Sequence, residues 1–140
     1  MPSNPIPIDQ EHGPEATFRA YLERGRLMLQ RARASSAHVF YPRVAEPGTG
    51  DTDLEWVEAS GLATVYATTT VRRRDEHGGP YNVALVDLDE GVRCMSRIED
   101  LPPDDVRIGQ RVRARIDRDD GAAVLVFVPV HDGGGDVDEP

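Results

Sequence analysis

The side chains best suited to covalent or acid–base chemistry are one cysteine, four histidines and several adjacent acids. Cys94 stands in the run VRCMS, where a free cysteine is typically a buried, small apolar residue. The pairs Asp104/Asp105 and Asp119/Asp120 fall in predicted turns, where carboxylates cap the backbone. Nothing in the sequence places two acids across a cleft, so a paired-carboxylate active site is not predicted.

The histidines do not complete a catalytic or metal-binding set. His12 and His131 lie near the two ends, His77 precedes two glycines, and His38 alone lies in a segment predicted to pack. We interpret the first three as surface residues. A structural zinc ion needs four ligands, which a single cysteine cannot complete, so we predict no bound metal.

All sixteen basic residues are arginine, and the formal net charge is -9. Such a negative balance disfavours sequence-independent binding to a phosphate backbone. The charge is nevertheless uneven, because six arginines and one acid fall between residues 19 and 43. A second basic run is Arg72-Arg73-Arg74. Each of these could be a binding surface or a solvated basic face.

One short helix is predicted to carry part of the cationic segment. Pro14 suits a first turn, Phe18, Tyr21 and Leu22 recur at helical spacing, and Gly25 suits the stop. A helix of about three turns is not stable alone in water, so its apolar face must pack on something. The run LMLQR after it suits a short strand.

Five strand-like runs follow, separated by turn residues. The first is long and is interrupted at Ser60-Gly61, which suits a bulge or bend within one strand. Glycine-containing turns, Asp89-Glu90-Gly91 and the Asp120-Gly121 step, predict two hairpins. The five runs are residues 54–73, 81–88, 92–98, 110–117 and 122–129.

A mainly β fold containing a five-stranded OB-type barrel is the prediction, because closure leaves few strand edges unpaired. An up-and-down sandwich is the alternative. The connection 101–110 would place Val106 and Ile108 at one end of the barrel. We predict disorder for the N-terminus, residues 1–12, and for the acidic tail, residues 131–140, because both lack core-forming residues.

Localisation is predicted as cytoplasmic. No apolar run approaches the ~20 residues that would span a bilayer. The first residues, MPSNPIP, lack the basic and apolar regions of a secretory signal.

The order of motifs resembles the small proteins of the DUF35 family over nearly the whole chain. The motifs are "LMLQR", "YPR", "DLEWVEASGLATVY", "PYNVALVDLDEGVRCMS", "IGQRVRARI" and "VFVP". The resemblance implies a helix and a rubredoxin-like zinc ribbon, here residues 13–53, joined to an OB fold, here residues 54–130.

The ribbon of that family usually carries two Cys-x-x-Cys knuckles, one after "QR" and one before a glycine preceding "DLEW". The corresponding positions here are Ala32, Ser35, Glu46 and Thr49, and none is cysteine. The resemblance therefore implies a degenerate ribbon that lacks its metal ligands. We predict that residues 31–50 form a folded docking segment rather than a disordered one.

The resemblance also implies a function. Its members are typically non-catalytic accessory subunits of thiolase-superfamily enzymes that act on acyl-CoA: thiolases, acyltransferases and retro-aldolases. The helix and ribbon would bind a thiolase-like partner in a hetero-oligomer, and the barrel would help to hold the acyl-CoA. The coenzyme A moiety of the substrate would be the only cofactor.

An OB-fold protein that binds single-stranded nucleic acid is the alternative function. That use requires exposed aromatic residues in a basic groove. From residue 54 to residue 131, however, ten arginines stand against fourteen acids. The alternative is therefore disfavoured.

Contacts to the partner or to coenzyme A are predicted at three places. Arg43 follows Pro42, whose fixed φ restricts the backbone, so the Arg43 side chain projects from a rigid position. We predict that Arg43 contacts the partner or coenzyme A, with a structural ion pair as the alternative. The predicted contact residues are Phe18, Tyr21 and Leu22 on the helix, Tyr41 and Arg43 in the segment YPR, and Arg72, Arg73 and Arg74.

Overall fold

The computed structural model describes residues 13–130. The predicted disorder of residues 1–12 and 131–140 therefore lies outside the described residues. The chain divides into two compact units. Of the described residues, 13–59 and 118–123 form the first unit, and 60–117 and 124–130 form the second. No helix in the described part of the chain is long and apolar enough to cross a membrane.

The helix of the first unit, α1 (Pro14–Glu23), forms where it was predicted. Pro14 lies in its first turn, and the chain leaves the helix at Gly25, which has a φ of 78°. Tyr21 and Leu22 are only 5% and 3% exposed. The ring of Tyr21 packs against Trp56 at a centroid distance of 5.7 Å. Packing of this apolar face therefore stabilises a helix that is too short to persist alone.

Three antiparallel strands form the sheet of the first unit. β1 (Met28–Ala32) is central, and it pairs with β2 (His38–Val39) on one side and β3 (Leu54–Glu58) on the other. The predicted single bent strand over residues 54–73 is therefore wrong, because residues 54–58 and 62–71 form two strands in different sheets. The break at Ser60-Gly61 ends β3, and its partner in the ladder is β1 rather than any strand of the barrel.

Five antiparallel strands form the barrel sheet, in the order β6-β5-β4-β7-β8. The sheet is curled, since Ile98, just after β6, forms a parallel bridge with Phe127 of β8. That bridge brings the two outermost strands together, as an OB-type barrel requires. The predicted fold class is thus confirmed. The strands are β4 (Leu62–Val71), β5 (Tyr81–Leu88), β6 (Arg93–Ser96), β7 (Arg111–Asp119) and β8 (Ala122–Pro129).

Both predicted hairpin turns are present. Asp120 and Gly121, between β7 and β8, have φ values of 57° and 84°, the paired positive angles of a type I′ turn. Gly91, between β5 and β6, has a φ of 97°. The register of each hairpin is therefore set by local turn chemistry.

The interior of the second unit is filled by the inward-facing residues of these strands. Val106 is buried, as predicted, but Ile108 is 71% exposed, so its predicted role at the end of the barrel is wrong. Ile108 stands at the corner of a turn that closes with a hydrogen bond from the Gln110 N–H to the Arg107 carbonyl. The largest buried side chains of this core are Val65, Val86, Val112, Val126 and Phe127.

Candidate functional site

Three of the four positions at which the resemblance predicts metal ligands form one hydrogen-bonded cluster, which we call the Glu46 cluster (Ser35, Glu46 and Thr49). The Ser35 hydroxyl donates to Glu46 Oε2 at 2.8 Å, and the Thr49 hydroxyl donates to Oε1, also at 2.8 Å. Glu46 is 8% exposed. The fourth position, Ala32, is fully buried. Its carbonyl accepts the Ser36 N–H in a first turn, residues 32–37, and Glu46 begins a second turn, residues 46–51.

This set of side chains does not fit a structural zinc ion. Zinc in such sites takes thiolate, imidazole or carboxylate ligands, usually four of them. Here two positions carry hydroxyl groups, one carries a methyl group, and both oxygens of Glu46 accept hydrogen bonds. Within residues 13–130, no group of three or more His, Cys, Asp or Glu side chains could hold a metal ion.

The segment between the two turns, residues 40–45, forms what we call the ribbon loop. Gln30 of β1 is buried, and its amide exchanges two hydrogen bonds of 2.7 Å with the backbone N–H and carbonyl of Arg43. Tyr41 and Val44 are 54% and 72% exposed on this anchored backbone. Among the described residues, the Arg43 guanidinium forms no ion pair.

A cavity of about 320 Å³ opens beside the ribbon loop within the first unit. Trp56 and Leu54 of β3 contribute apolar surface, while Arg43 contributes a cation. Arg43 is thus available to an anionic group, as a contact residue would be. The lining residues are Gly13, Pro14, Gln30, Arg43, Val44, Thr52, Leu54 and Trp56.

The helix residues predicted to contact a partner have different surroundings. Phe18 is half-buried, and its ring meets Phe40 edge-on at a centroid distance of 5.6 Å. Tyr21 and Leu22 lie in the interior of the first unit, so we withdraw their assignment to partner contacts. The side chains of Tyr21 and Leu22 thus pack within this chain, and of the three predicted helix contacts only Phe18 keeps part of its surface accessible.

The second unit carries an apolar surface that the sequence analysis missed, which we call the outer barrel face (Tyr66, Ala67, Tyr81, Val83, Leu85 and Met95). Alternation along β5 buries Ala84 and Val86 and turns Val83 and Leu85 to the other side. Leu85 pairs in register with Ala67 of β4 and with Met95 of β6, which is 61% exposed. A solvated sheet face is normally polar, whereas this one carries an apolar strip. Polar residues adjoin the strip, since Thr69 pairs in register with Val83, and Asp87 pairs with Arg93. The run YNVALVDL signalled this, because both sets of alternate positions are largely apolar.

The three consecutive arginines, residues 72–74, make different contacts. Arg72 pairs with Asp104 at 3.1 Å, and Arg74 pairs with Glu76 at 3.6 Å. Hydrogen bonds from Thr70 and Arg72 lower the pKa of Asp104 below its ordinary value.

Arg73, in contrast, lies over the ring of Tyr81, with 4.5 Å between its Cζ atom and the ring centroid. Its Nε donates to the Gly79 carbonyl at 2.7 Å. Arg73 is therefore a fixed cation beside the outer barrel face.

A second stacked arginine lies at the other end of that face. The Cζ atom of Arg93 is 3.4 Å from the ring centroid of Tyr66, and its guanidinium also binds Asp87 with two hydrogen bonds. The hydrogen bond from Asp87 raises the pKa of Arg93. This cation is thus already neutralised by a carboxylate.

The residues considered for covalent chemistry are not arranged for it. Cys94 is 3% exposed, and burial raises the pKa of its thiol to about 12, so it stays protonated and inaccessible. Asp104 is engaged by Thr70 and Arg72. His12 and His131 lie outside the described residues, while His77 is exposed.

Comparison with known proteins supports the fold. The family described as "ChsH2, C-terminal OB-fold domain" matches residues 56–117. A solved structure named "Ltp2-ChsH2(DUF35) aldolase" superposes with a TM-score of 0.75 at 28% identity, covering 89% of this chain and 98% of that chain. A DUF35 protein of unknown function from Sulfolobus solfataricus has a TM-score of 0.56 at 18% identity, covering 72% of this chain and 75% of its own.

Curated proteins give the same picture by sequence. A "DUF35 domain-containing scaffold protein" of Methanocaldococcus jannaschii is 36% identical over 82 residues, which cover 54% of this chain and 58% of that protein. A "probable enoyl-CoA hydratase alpha subunit" of Thermomonospora curvata is 36% identical over 98 residues, covering 68% of this chain and 30% of that protein. The match therefore spans about a third to somewhat over half of these relatives.

Proposed function

Because this chain belongs to the DUF35 family, we propose that it is a non-catalytic accessory subunit of a thiolase-superfamily enzyme that acts on acyl-CoA in the cytoplasm. The ribbon loop would dock on the thiolase-like partner, and the outer barrel face would help to hold the acyl-CoA. The observation that carries the proposal is the apolar strip of the outer barrel face, with Tyr66 and Met95 exposed, beside a fixed arginine. The one thiol of the chain is buried. Relatives named as a scaffold protein and an enoyl-CoA hydratase subunit support it.

The ribbon loop has the composition of a docking surface. Tyr41 and Val44 offer exposed apolar area on a backbone that is already anchored by Gln30, so little conformational entropy is lost on binding. The guanidinium of Arg43 can form a forked pair with a carboxylate. The partner surface we propose is therefore apolar, with an acidic side chain opposite Arg43.

The outer barrel face matches the two chemical parts of acyl-CoA. The pantetheine and acyl chains have extended apolar portions, which suit the strip formed by Val83, Leu85 and Met95. The phosphates suit Arg73, whose guanidinium is held by the Gly79 carbonyl and the ring of Tyr81. A cation next to an apolar strip thus follows the layout of the ligand.

Single-stranded nucleic acid is the weaker candidate for the same face. A bare aromatic platform is needed for base stacking, but Arg93 already covers the ring of Tyr66. Arg72 and Arg93 are both paired with carboxylates, which weakens their attraction for a phosphate backbone.

Coexpression with a thiolase-like protein encoded beside this chain tests the proposed assembly. We expect one complex on size exclusion, acyl-CoA turnover by the complex, and no turnover by this chain alone. The double variant Tyr41→Ala/Arg43→Ala should weaken the complex, whereas Ile108→Ala, an exposed apolar residue of the barrel unit, should not. If this chain elutes separately from every thiolase-like protein coexpressed with it, the proposed assembly is refuted.

Calorimetry with coenzyme A and with pantetheine tests the proposed ligand face on the isolated chain and the complex. Replacing Arg73 with alanine should weaken coenzyme A binding about tenfold, because the contact between the guanidinium and the phosphates is lost. Pantetheine has no phosphate, so its binding should be unchanged. Arg74→Ala is the matched control, since its side chain is 80% exposed and pairs with Glu76. Equal effects of the two substitutions would contradict a specific role for Arg73, and tight binding of an oligonucleotide would favour the alternative.

A further inference from the structure

The Glu46 cluster is part of a longer hydrogen-bonded network that runs between two turns. The Ser35 hydroxyl, which donates to Glu46, accepts the Ala37 N–H at 3.2 Å. The Thr49 hydroxyl, which donates to the other oxygen of Glu46, accepts the Asp51 N–H at 3.2 Å. Each hydroxyl therefore connects the backbone of its own turn to one shared carboxylate.

Backbone hydrogen bonds close each of these turns on itself. In the first turn the Ser36 N–H donates to the Ala32 carbonyl at 2.8 Å, and the Ala32 N–H donates to the Ala37 carbonyl at 2.9 Å. In the second turn the Gly50 N–H donates to the Glu46 carbonyl at 2.9 Å. The side chain of Glu46 connects the second turn to the first, through its hydrogen bond from the Ser35 hydroxyl.

The charge of the Glu46 carboxylate strengthens this link between the two turns. Hydrogen bonds to an ionised carboxylate are about twice as strong as bonds between neutral groups. The carboxylate is largely removed from water, so competition from solvent is reduced, and the two hydroxyls are polarised by the N–H groups that bind them. Leaving such a group without its partners would be costly, which favours the closed arrangement.

We propose that the Glu46 cluster does the work of a structural metal ion in this ribbon. A zinc ion in a ribbon joins two turns through ligands from each, and it supplies folding energy that is lost when the metal is removed. The carboxylate of Glu46 joins the same two turns through one hydroxyl from each side. The ribbon thereby folds without metal, and its geometry does not depend on zinc supply.

The cluster also positions the ribbon loop. Residues 40–45 leave β2, are held at Arg43 by Gln30, and enter the second turn at Glu46. Both ends and the middle of the loop are thus fixed. Ser35, Glu46 and Thr49 are accordingly positioning residues for the exposed side chains of Tyr41 and Val44, and this role holds whether or not the proposed partner is the right one.

Amide hydrogen exchange on the full chain tests the proposal without any partner. The Ser36 and Gly50 amides report on the two turns, and the Val65 amide, bound to the Gln110 carbonyl, reports on the barrel. Glu46→Gln should speed exchange at both turn amides by about tenfold or more, because bonds to a charged acceptor are lost, while Val65 is unchanged. Zinc chelators should leave exchange in the wild-type chain unaltered.

Milder variants keep the test decisive if Glu46→Gln does not fold. Thr49→Val should speed exchange in the turns, and Thr49→Ser, which restores the hydroxyl, should return it to the wild-type rate. Glu58→Gln is the matched control, since Glu58 forms an ion pair with Arg26 in the same unit outside the cluster. Wild-type exchange in both Glu46→Gln and Thr49→Val, or loss of turn protection on chelation, would overturn the proposal.

Discussion

The side-chain amide of Gln30 pairs with the backbone of Arg43 as one strand pairs with another. Its Nε2 donates to the Arg43 carbonyl, and its Oε1 accepts the Arg43 N–H, both at 2.7 Å. A buried amide thereby satisfies two backbone groups in a loop that has no strand partner at that point. The loop is rigid because a side chain of the sheet completes its hydrogen bonding.

Replacing Gln30 with alanine should lower the free energy of unfolding by about 1–3 kcal/mol, because two part-buried hydrogen bonds to the Arg43 backbone are lost. Urea denaturation measures the change, and the Arg43 amide should exchange faster with solvent. Gln110→Ala is the control, since its side chain accepts one exposed hydrogen bond from the Arg107 N–H, and its cost should stay within about 0.5 kcal/mol. Equal costs for both substitutions would show that the loop is not held at this point.

Replacing Met95 with glutamine should leave folding intact and weaken acyl-CoA binding about fivefold. The side chain is exposed in the free chain, so its loss costs little stability, but it would bury part of its apolar surface against the ligand. Calorimetry and thermal unfolding measure the two effects. Ile108→Gln, at a residue exposed in a turn of the same unit, should change neither. An unchanged affinity in Met95→Gln would remove the outer barrel face from the proposed ligand site.

Acid should destabilise the first unit partly through Glu23. The pKa of Glu23 lies below its ordinary value of 4.5 because its carboxylate accepts the Ala123 N–H and binds Arg118. Since the folded-state pKa is lower than the unfolded one, the stabilisation is complete above about pH 4.5 and is lost as the pH falls through the folded value. Glu23→Gln should therefore flatten the acid part of a plot of unfolding free energy against pH.

Urea denaturation between pH 7 and pH 3 provides that plot. The control is Glu15→Gln, because Glu15 is exposed and its distance to Arg19 is 3.8 Å. It should leave the slope as it is in the wild type. A Glu23→Gln chain whose stability still falls as steeply with acid would contradict the assignment.

Cys94 should not react with thiol reagents in the folded chain at neutral pH. Its pKa is raised to about 12 by burial, so thiolate is scarce and access is blocked. Reaction with a disulfide reagent should require denaturant, and Cys94→Ala should leave the activity of the proposed complex unchanged. Rapid labelling of the native chain would indicate an accessible thiol and reopen a role for it in chemistry.

Local signals in the sequence were sufficient for most elements. Pro14 and Gly25 delimited the helix, and Asp120-Gly121 located the last hairpin, because caps and positive-φ turns depend on a few adjacent residues. Strand-like runs bounded by turn residues predicted four of the five barrel strands. The prediction for the first strand failed because the sequence of residues 54–58 indicates a strand but does not indicate which strand will pair with it.

The candidate site was less predictable for the same reason. Arg72, Arg73 and Arg74 are equivalent in sequence, yet only Arg73 stacks on an aromatic ring at the outer barrel face, since that depends on where β5 brings Tyr81. Tyr21 and Leu22 form an apolar stripe that could face a partner or the chain itself, and burial against the first unit decided it.

The sequence by itself determined most of the elements, the hairpin turns, the OB-type class and the absence of cysteine at the four ribbon positions. Tertiary structure alone decided which sheet receives residues 54–58, which apolar residues stay exposed, and that Ser35 and Thr49 meet at Glu46. The physical reason is distance along the chain. Turn and helix preferences act between neighbours, whereas strand pairing, burial and a shared carboxylate depend on residues that only the folded chain brings together.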